Sequence, residues 1–100
     1  MIRGTTPTHT FTLPFDTGLI KTILITYKQN NNIKLQKWTD ECELLGDTVS
    51  VKLSQEDTLQ FEGNIPVHIQ IRVLTYSGDA TASEVMRVRC EDVLYDGVLV

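Results

Sequence analysis

Three features of the sequence predict an all-β fold, an immunoglobulin-like antiparallel sandwich of about seven to eight strands. Wherever apolar residues show a period, it is almost always two rather than 3.6. Clusters of Gly, Asn, Asp and Pro interrupt these segments at intervals of roughly 8–12 residues, as sandwich turns do. The chain has 100 residues, enough for one core and too few for two, so residues 1–100 are expected to form a single domain.

The elements follow in order. His9-Thr10-Phe11-Thr12-Leu13 alternates with Phe11 and Leu13 inward, and Pro14, which has no N–H to give a ladder, ends it. Asp16-Thr17-Gly18 is a turn. Residues 19–29 form a long β-branched strand with Ile23, Ile25 and Tyr27 on one face. Asn30-Asn31-Asn32 tolerates left-handed backbone and closes a hairpin onto residues 33–37, which lead to Trp38, expected in the core of a middle strand. Trp38, Cys42 and Leu45 fall at helical spacing behind Thr39, but the segment is short for a helix. A strand over residues 42–45, a turn at Gly46-Asp47 and a partner strand over residues 48–53 are expected instead, with Val49, Val51 and Leu53 inward.

Ser54-Gln55-Glu56-Asp57 has the S-x-x-D form of a helix start, so one short helical turn is predicted near residues 54–58, before Leu59 and Phe61 enter the core. Gly63-Asn64 breaks the chain. The cleanest alternation is "VHIQIRV", where Val67, Ile69, Ile71 and Val73 face inward and His68, Gln70 and Arg72 share the opposite face. Ser77-Gly78-Asp79 turns into a long last strand over residues 80–93. Met86, Val88 and Cys90 make its apolar row, while Ala80 and Val85 leave the register open and call for a bulge. Tyr95-Asp96-Gly97 is a final turn before the apolar Val98, Leu99 and Val100.

Composition excludes more than it assigns. A formal charge of −4, with nine basic residues scattered along the sequence, argues against nucleic acid, whose affinity comes from Lys and Arg on phosphates. No secretory h-region opens the sequence and no apolar run approaches the ~20 residues of a spanning helix, so neither export nor membrane insertion is expected. Cys42 and Cys90 are read as reduced small hydrophobes, with a bridge between two sheets as the alternative. Glu56 and Asp57 are adjacent on a helical turn and point apart, which suits capping better than paired acid–base chemistry.

His9 and His68 occur in no H-x-x-x-H or H-E-x-x-H spacing and the cysteines in no C-x-x-C, so no metal and no cofactor is expected. Asp47 and Asp79 stand beside glycines but without the ligand series of an EF-hand. No G-x-S-x-G nucleophile turn appears, and each glycine stands singly at a turn, which rules out a phosphate-cradling loop. The expectation is therefore a protein that is not an enzyme. Trp38, Tyr76 and Tyr95 are assigned to core or tyrosine-corner positions, with stacking on a sugar as the alternative.

Three stretches carry a family resemblance. Together "TLPFDTGLIKTILITYKQN", "VSVKLSQEDTLQF" and "IQIRVLTYSGDATASEVMRV" resemble a group of small proteins found among the structural genes of phages and prophages of Firmicutes and related gut bacteria. The most distinctive piece is the L-[ST]-Q-E-D-T-L-x-F segment, Leu53 to Phe61, followed by the strand Ile69 to Val73. The resemblance implies a virion structural or assembly protein: an interaction module of a tail, neck or baseplate, present in the bacterial host cytoplasm during assembly and then in the virion. Its partners would be other phage structural proteins or further copies of itself. The alternative is a carbohydrate-type ligand-binding sandwich used in host-surface recognition, which would need an aromatic platform on one outer face. The candidate interaction residues are the polar strand residues His68, Gln70, Arg72, Arg87 and Arg89, with the terminal Val98, Leu99 and Val100.

Overall fold

The computed structural model describes residues 1–100. Eight strands form: β1 (Thr8–Thr12), β2 (Ile20–Gln29), β3 (Asn32–Trp38), β4 (Glu43–Leu45), β5 (Thr48–Lys52), β6 (Val67–Thr75), β7 (Ala80–Ala82) and β8 (Met86–Val88). One helical turn, α1 (Gln55–Leu59), lies between β5 and β6. They build two antiparallel sheets. The small one has the order β1-β5-β4; the large one has the order β3-β2-β6, with β7 and β8 both on the far side of β6. A single cluster of buried side chains joins the inner faces: Phe11 from β1, Val49 and Val51 from β5, Ile23, Ile25 and Tyr27 from β2, and Val67, Ile69, Ile71 and Val73 from β6. Each such side chain contributes about 1.5–3 kcal/mol by leaving water.

The expected all-β sandwich with its short helical turn is therefore present. Its connectivity differs from the immunoglobulin order in one respect. There the second and third strands lie in opposite sheets; here β2 and β3 are hairpin neighbours in the same sheet. The cause is local. Gln29 pairs with Asn32 across a two-residue loop in which Asn30 (φ 48°) and Asn31 (φ 66°) are both left-handed, the geometry that matches strand twist in a tight hairpin.

Three bulges tune which residues face inward. In β2 the register against β6 shifts between Ile20 and Thr22, which lets Ile20 and Ile23 both enter the core. In β3 the shift at Lys34 keeps Leu35 buried and turns Ile33 out, 57% exposed. The third divides the expected strand over residues 80–93. Residues 83–85 oppose only residues 70 and 71, so the strand becomes β7 and β8 with an extra residue between them. Ser83 holds this break in place: its N–H donates to the Ile71 carbonyl (2.9 Å) and its hydroxyl accepts from the Ile71 N–H (3.2 Å).

Two placements correct the sequence reading. Trp38 is not in the core; it is 47% exposed on the outside of the large sheet, because Leu35 and Lys37 take the inward positions of β3. Tyr76 and Tyr95 are also exposed, beyond strand ends, so neither is a core or corner tyrosine. Both cysteines are free thiols, Cys90 buried and Cys42 half-buried, and burial pushes each thiol up from its ordinary range.

Buried polar groups pin the connections. Gln29 is fully buried; its amide donates to the Glu62 and Ile65 carbonyls (2.8 and 2.9 Å) and accepts from the Glu62 N–H (2.7 Å). The α1 start is a reciprocal cap, Ser54 Oγ accepting from the Asp57 N–H (3.0 Å) and Asp57 from the Ser54 N–H (2.9 Å). Arg3 donates to the Phe61 and Leu59 carbonyls and to Asp92 and Asp96, and the first and last segments bridge in parallel at Ile2 and Glu91.

Gln29→Leu is expected to cost about 3 kcal/mol, because it strands three backbone groups without partners. An Ile25→Val change, one methylene at an equally buried site, should cost about 1 kcal/mol. Urea unfolding of both variants checks the ranking; equal losses would show that Gln29 acts by volume alone.

Candidate functional site

The outer face of the large sheet follows from the register. With the odd-numbered residues of β2 from Ile23 onward and of β6 from Val67 to Val73 in the core, Thr22, Leu24, Thr26 and Lys28 point outward beside Leu74, Arg72, Gln70 and His68. Cross-strand rows result. One runs Trp38, Leu24, Arg72, Ala82; the next runs Gln36, Thr26, Gln70; a third runs Lys28, His68, Arg87. Directly opposed residues have Cβ atoms about 4.5–5.5 Å apart, so each row is a contiguous strip. One end of the face is apolar, with Leu24, Trp38, Leu74 and Ala80 around Arg72. The other end carries Lys28, His68 and Arg87.

Two electrostatic facts define this surface. No carboxylate occurs anywhere in β2, β3, β6, β7 or β8. Of the cations in these strands only Lys37, on the inner side, is paired: it reaches Asp57 at 3.0 Å and Glu41 at 3.3 Å. Lys28, Arg72 and Arg87 have no carboxylate within ion-pair distance. The strip is thus cationic and unneutralised, beside an exposed indole.

The structure divides the predicted interaction residues. His68, Gln70, Arg72 and Arg87 come together on this face. Gln70 is engaged in the fold, its amide donating to the Ser83 carbonyl (2.9 Å). Arg89 lies past the end of β8, in a shallow hollow with Asn64, Ile65 and Pro66, and its carbonyl accepts from the N-terminal amine (2.8 Å). Val98, Leu99 and Val100 are elsewhere. Leu99 is held by Gln55, whose amide accepts from the Leu99 N–H (2.7 Å) and donates to its carbonyl (3.2 Å), while Val98 sits near Thr6, Lys52 and Ser54. Sequence reasoning missed Leu24, Lys28, Trp38 and Leu74. Leu24 carried a signal, an apolar residue at an outward position between Ile23 and Ile25; Trp38 joins the strip only through its pairing with Leu24.

The remaining polar clusters are structural. His9 Nδ1 lies 2.7 Å from the Tyr27 hydroxyl inside the Tyr27–Phe61 aromatic cluster, and burial followed by the N-terminal charge lowers its pKa. Burial pushes the Tyr27 phenol up. Burial also pushes the Asp57 carboxyl up, but the Ser54 N–H and the Lys37 ammonium more than reverse this and hold it below its ordinary range. No three His, Cys, Asp or Glu side chains converge as a metal site. A partly apolar cleft of about 370 Å³ opens between the β1 and β7 edges over Phe11, Ile71 and Val73. No helix is long and apolar enough to cross a membrane. The fold and face define a small β sandwich whose large sheet is apolar at one end of its outer face and cationic at the other, and comparison with known proteins takes this no further: no family model, no curated protein and no solved structure matches the chain.

Because the Asp57 carboxyl is lowered in the folded state, its contribution is complete above the ordinary carboxylate pKa of about 3.9 and is lost as pH falls through the lowered folded value. Asp57→Asn should therefore flatten the acid limb of the stability profile below about pH 4, besides costing about 1 kcal/mol at neutral pH through the weakened cap. Urea midpoints measured across pH check this; an unchanged acid limb would remove Asp57 from the linkage.

Proposed function

We propose that this protein is a non-enzymatic assembly module of a phage or prophage virion, a tail, neck or baseplate component that docks on neighbouring protein through the outer face of its large sheet. One observation carries the docking part: a carboxylate-free face with the exposed Trp38 and the half-buried Leu24 beside unpaired Arg72 at one end and unpaired Lys28 and Arg87 at the other. Protein interfaces are enriched in Trp and Arg and depleted of Asp and Glu at their centres. The virion part rests on the resemblance of Leu53 to Phe61 and Ile69 to Val73, which here build the capped start of α1 and the middle of β6.

The exposed Trp38 ring beside Arg72 favours a second reading, a carbohydrate subsite for host-surface recognition. Trp38 is the one Trp, Tyr or Phe among the outward-facing strand residues of this sheet, where a sugar platform commonly offers more rings.

Both readings are tested by complementing a deletion with Arg72→Glu/Arg87→Glu and with Trp38→Ala, folding confirmed by circular dichroism. Loss of particle assembly by both variants, by at least about tenfold for the charge reversal, is the expected outcome. Normal particles from the charge-reversed protein would refute docking through this face. Intact particles that no longer adsorb when Trp38 is truncated would transfer the assignment to the carbohydrate reading.

A further inference from the structure

The charge of the molecule is divided between two regions, and the division names a partner. The five strands of the large sheet hold six of the nine Lys and Arg (Lys21, Lys28, Lys34, Lys37, Arg72 and Arg87) and none of the thirteen Asp and Glu. The sheet therefore carries +6, while the rest of the chain, with three cations against thirteen carboxylates, carries −10. The formal charge of −4 conceals this separation. Five of the six sheet cations have no carboxylate within 4 Å.

A complementary patch lies on the small sheet. β4 is one of its two edge strands and is exposed along its whole length, Leu45 being 79% exposed and Leu44 39%. Four unpaired carboxylates belong to this region. Glu43 is in β4 and Asp47 is in the turn that follows; Asp40 is in the 3-10 turn Thr39–Glu41 that leads into the strand. Asp16 is brought there by Thr17, whose N–H and hydroxyl both donate to the Gly46 carbonyl at 2.8 Å. On β4, Glu43 and Leu45 point to the outer side opposite Ser50 and Thr48, while Leu44 lies opposite the buried Val49; the large-sheet face has Trp38 and Leu24 at one end beside Arg72, and Lys28 and Arg87 at the other.

Resting on the reading that the large-sheet face is a protein-docking surface, we infer that its occupant is the β4 edge of a second copy of this chain. The exposed Leu45 covers Trp38 and Leu24, and the carboxylates lie over Arg72, Arg87 and Lys28. Two such faces cannot pair with each other, since cations would oppose cations. The contact joins unlike patches, so it is heterologous and propagates into a ring or an open filament. A phosphate polymer fits less well: the −10 remainder repels it and apolar side chains occupy one end of the face. Both patches are small, so the single contact is weak, with Kd on the order of 10–100 μM at low salt, and repetition supplies the stability of an assembly.

Sedimentation velocity on the full chain tests this, at about 20 mM and about 500 mM NaCl over a wide concentration range. Concentration-dependent association at low salt that weakens at least tenfold at high salt is expected. Arg72→Glu/Arg87→Glu and Glu43→Lys/Asp47→Lys, each verified as folded by circular dichroism, should be monomeric alone. Mixed, they should associate again, because the unchanged carboxylate edge of the first meets the unchanged cationic face of the second and the two charge-reversed patches are complementary as well. A wild-type protein that stays monomeric at low salt overturns the inference, as does association that survives either variant or is not restored by mixing. Salt-sensitive binding of a single-stranded oligonucleotide, lost in the arginine variant without any self-association, overturns it in favour of a nucleic-acid ligand. A monomeric wild type whose arginine variant still blocks particle assembly would reject the second copy alone and leave docking through the face standing. No effect of that variant on either assay would reject both.

Discussion

The pairing of β2 with β6 is the constraint on which the rest of this structure depends. It aligns Ile23 with Val73, Ile25 with Ile71 and Tyr27 with Ile69, so one face of the pair is apolar for almost its entire length. Because side chains alternate with a period of two, a slip of one residue would expose all of these at once and bury Arg72, Lys28 and His68. The small sheet packs on the apolar face, β3 is attached by a two-residue turn, and β7 and β8 occupy the other side of β6. Every outward residue of the candidate surface takes its place from this one register.

Polar side chains then tie the connections to the central pair. Thr39 Oγ1 accepts from the Ile23 N–H (2.8 Å), which fixes the crossover from β3 to β4, and Gln29 holds the loop before β6 from beneath. Thr17 anchors the turn before β2 to the turn after β4. These contacts place the carboxylate-bearing turns around the sheet and leave its strands free of acid. Lys28 and Arg87 flank His68 in one row with no carboxylate among them, an arrangement from which folding gains nothing. A surface that the fold does not need in that form is where interaction chemistry is to be sought.

Much of the architecture was legible in the residue pattern because burial and strand geometry impose the same period. Phe11, Val49, Val51 and the inward residues of β2 and β6 were all identifiable from alternation, and the capped turn at Ser54 from its S-x-x-D spacing. The errors share a cause. The sandwich pattern puts Trp38 in the core of a middle strand, yet its side is decided by its position relative to Leu35 and by the bulge at Lys34. Ser83 was invisible as the residue that splits the last strand, since only the facing Ile71 gives its hydroxyl a partner. For the interaction surface, His68, Gln70 and Arg72 were readable as one face of one strand, and the addition of Lys28 and Arg87 required knowing which strands are neighbours.

By itself the sequence determined that this chain is built of β-strands around one core, because a period-two apolar pattern leaves water as one face of a sheet. It also determined which residues of each strand share a face. Only the tertiary structure decided which faces join. Strand order depends on contacts between residues distant in the chain, and those contacts collected six cations scattered from Lys21 to Arg87 into one carboxylate-free sheet. Net charge is a sum and carries no positions; the separation of +6 from −10 exists only once β2, β3, β6, β7 and β8 lie side by side.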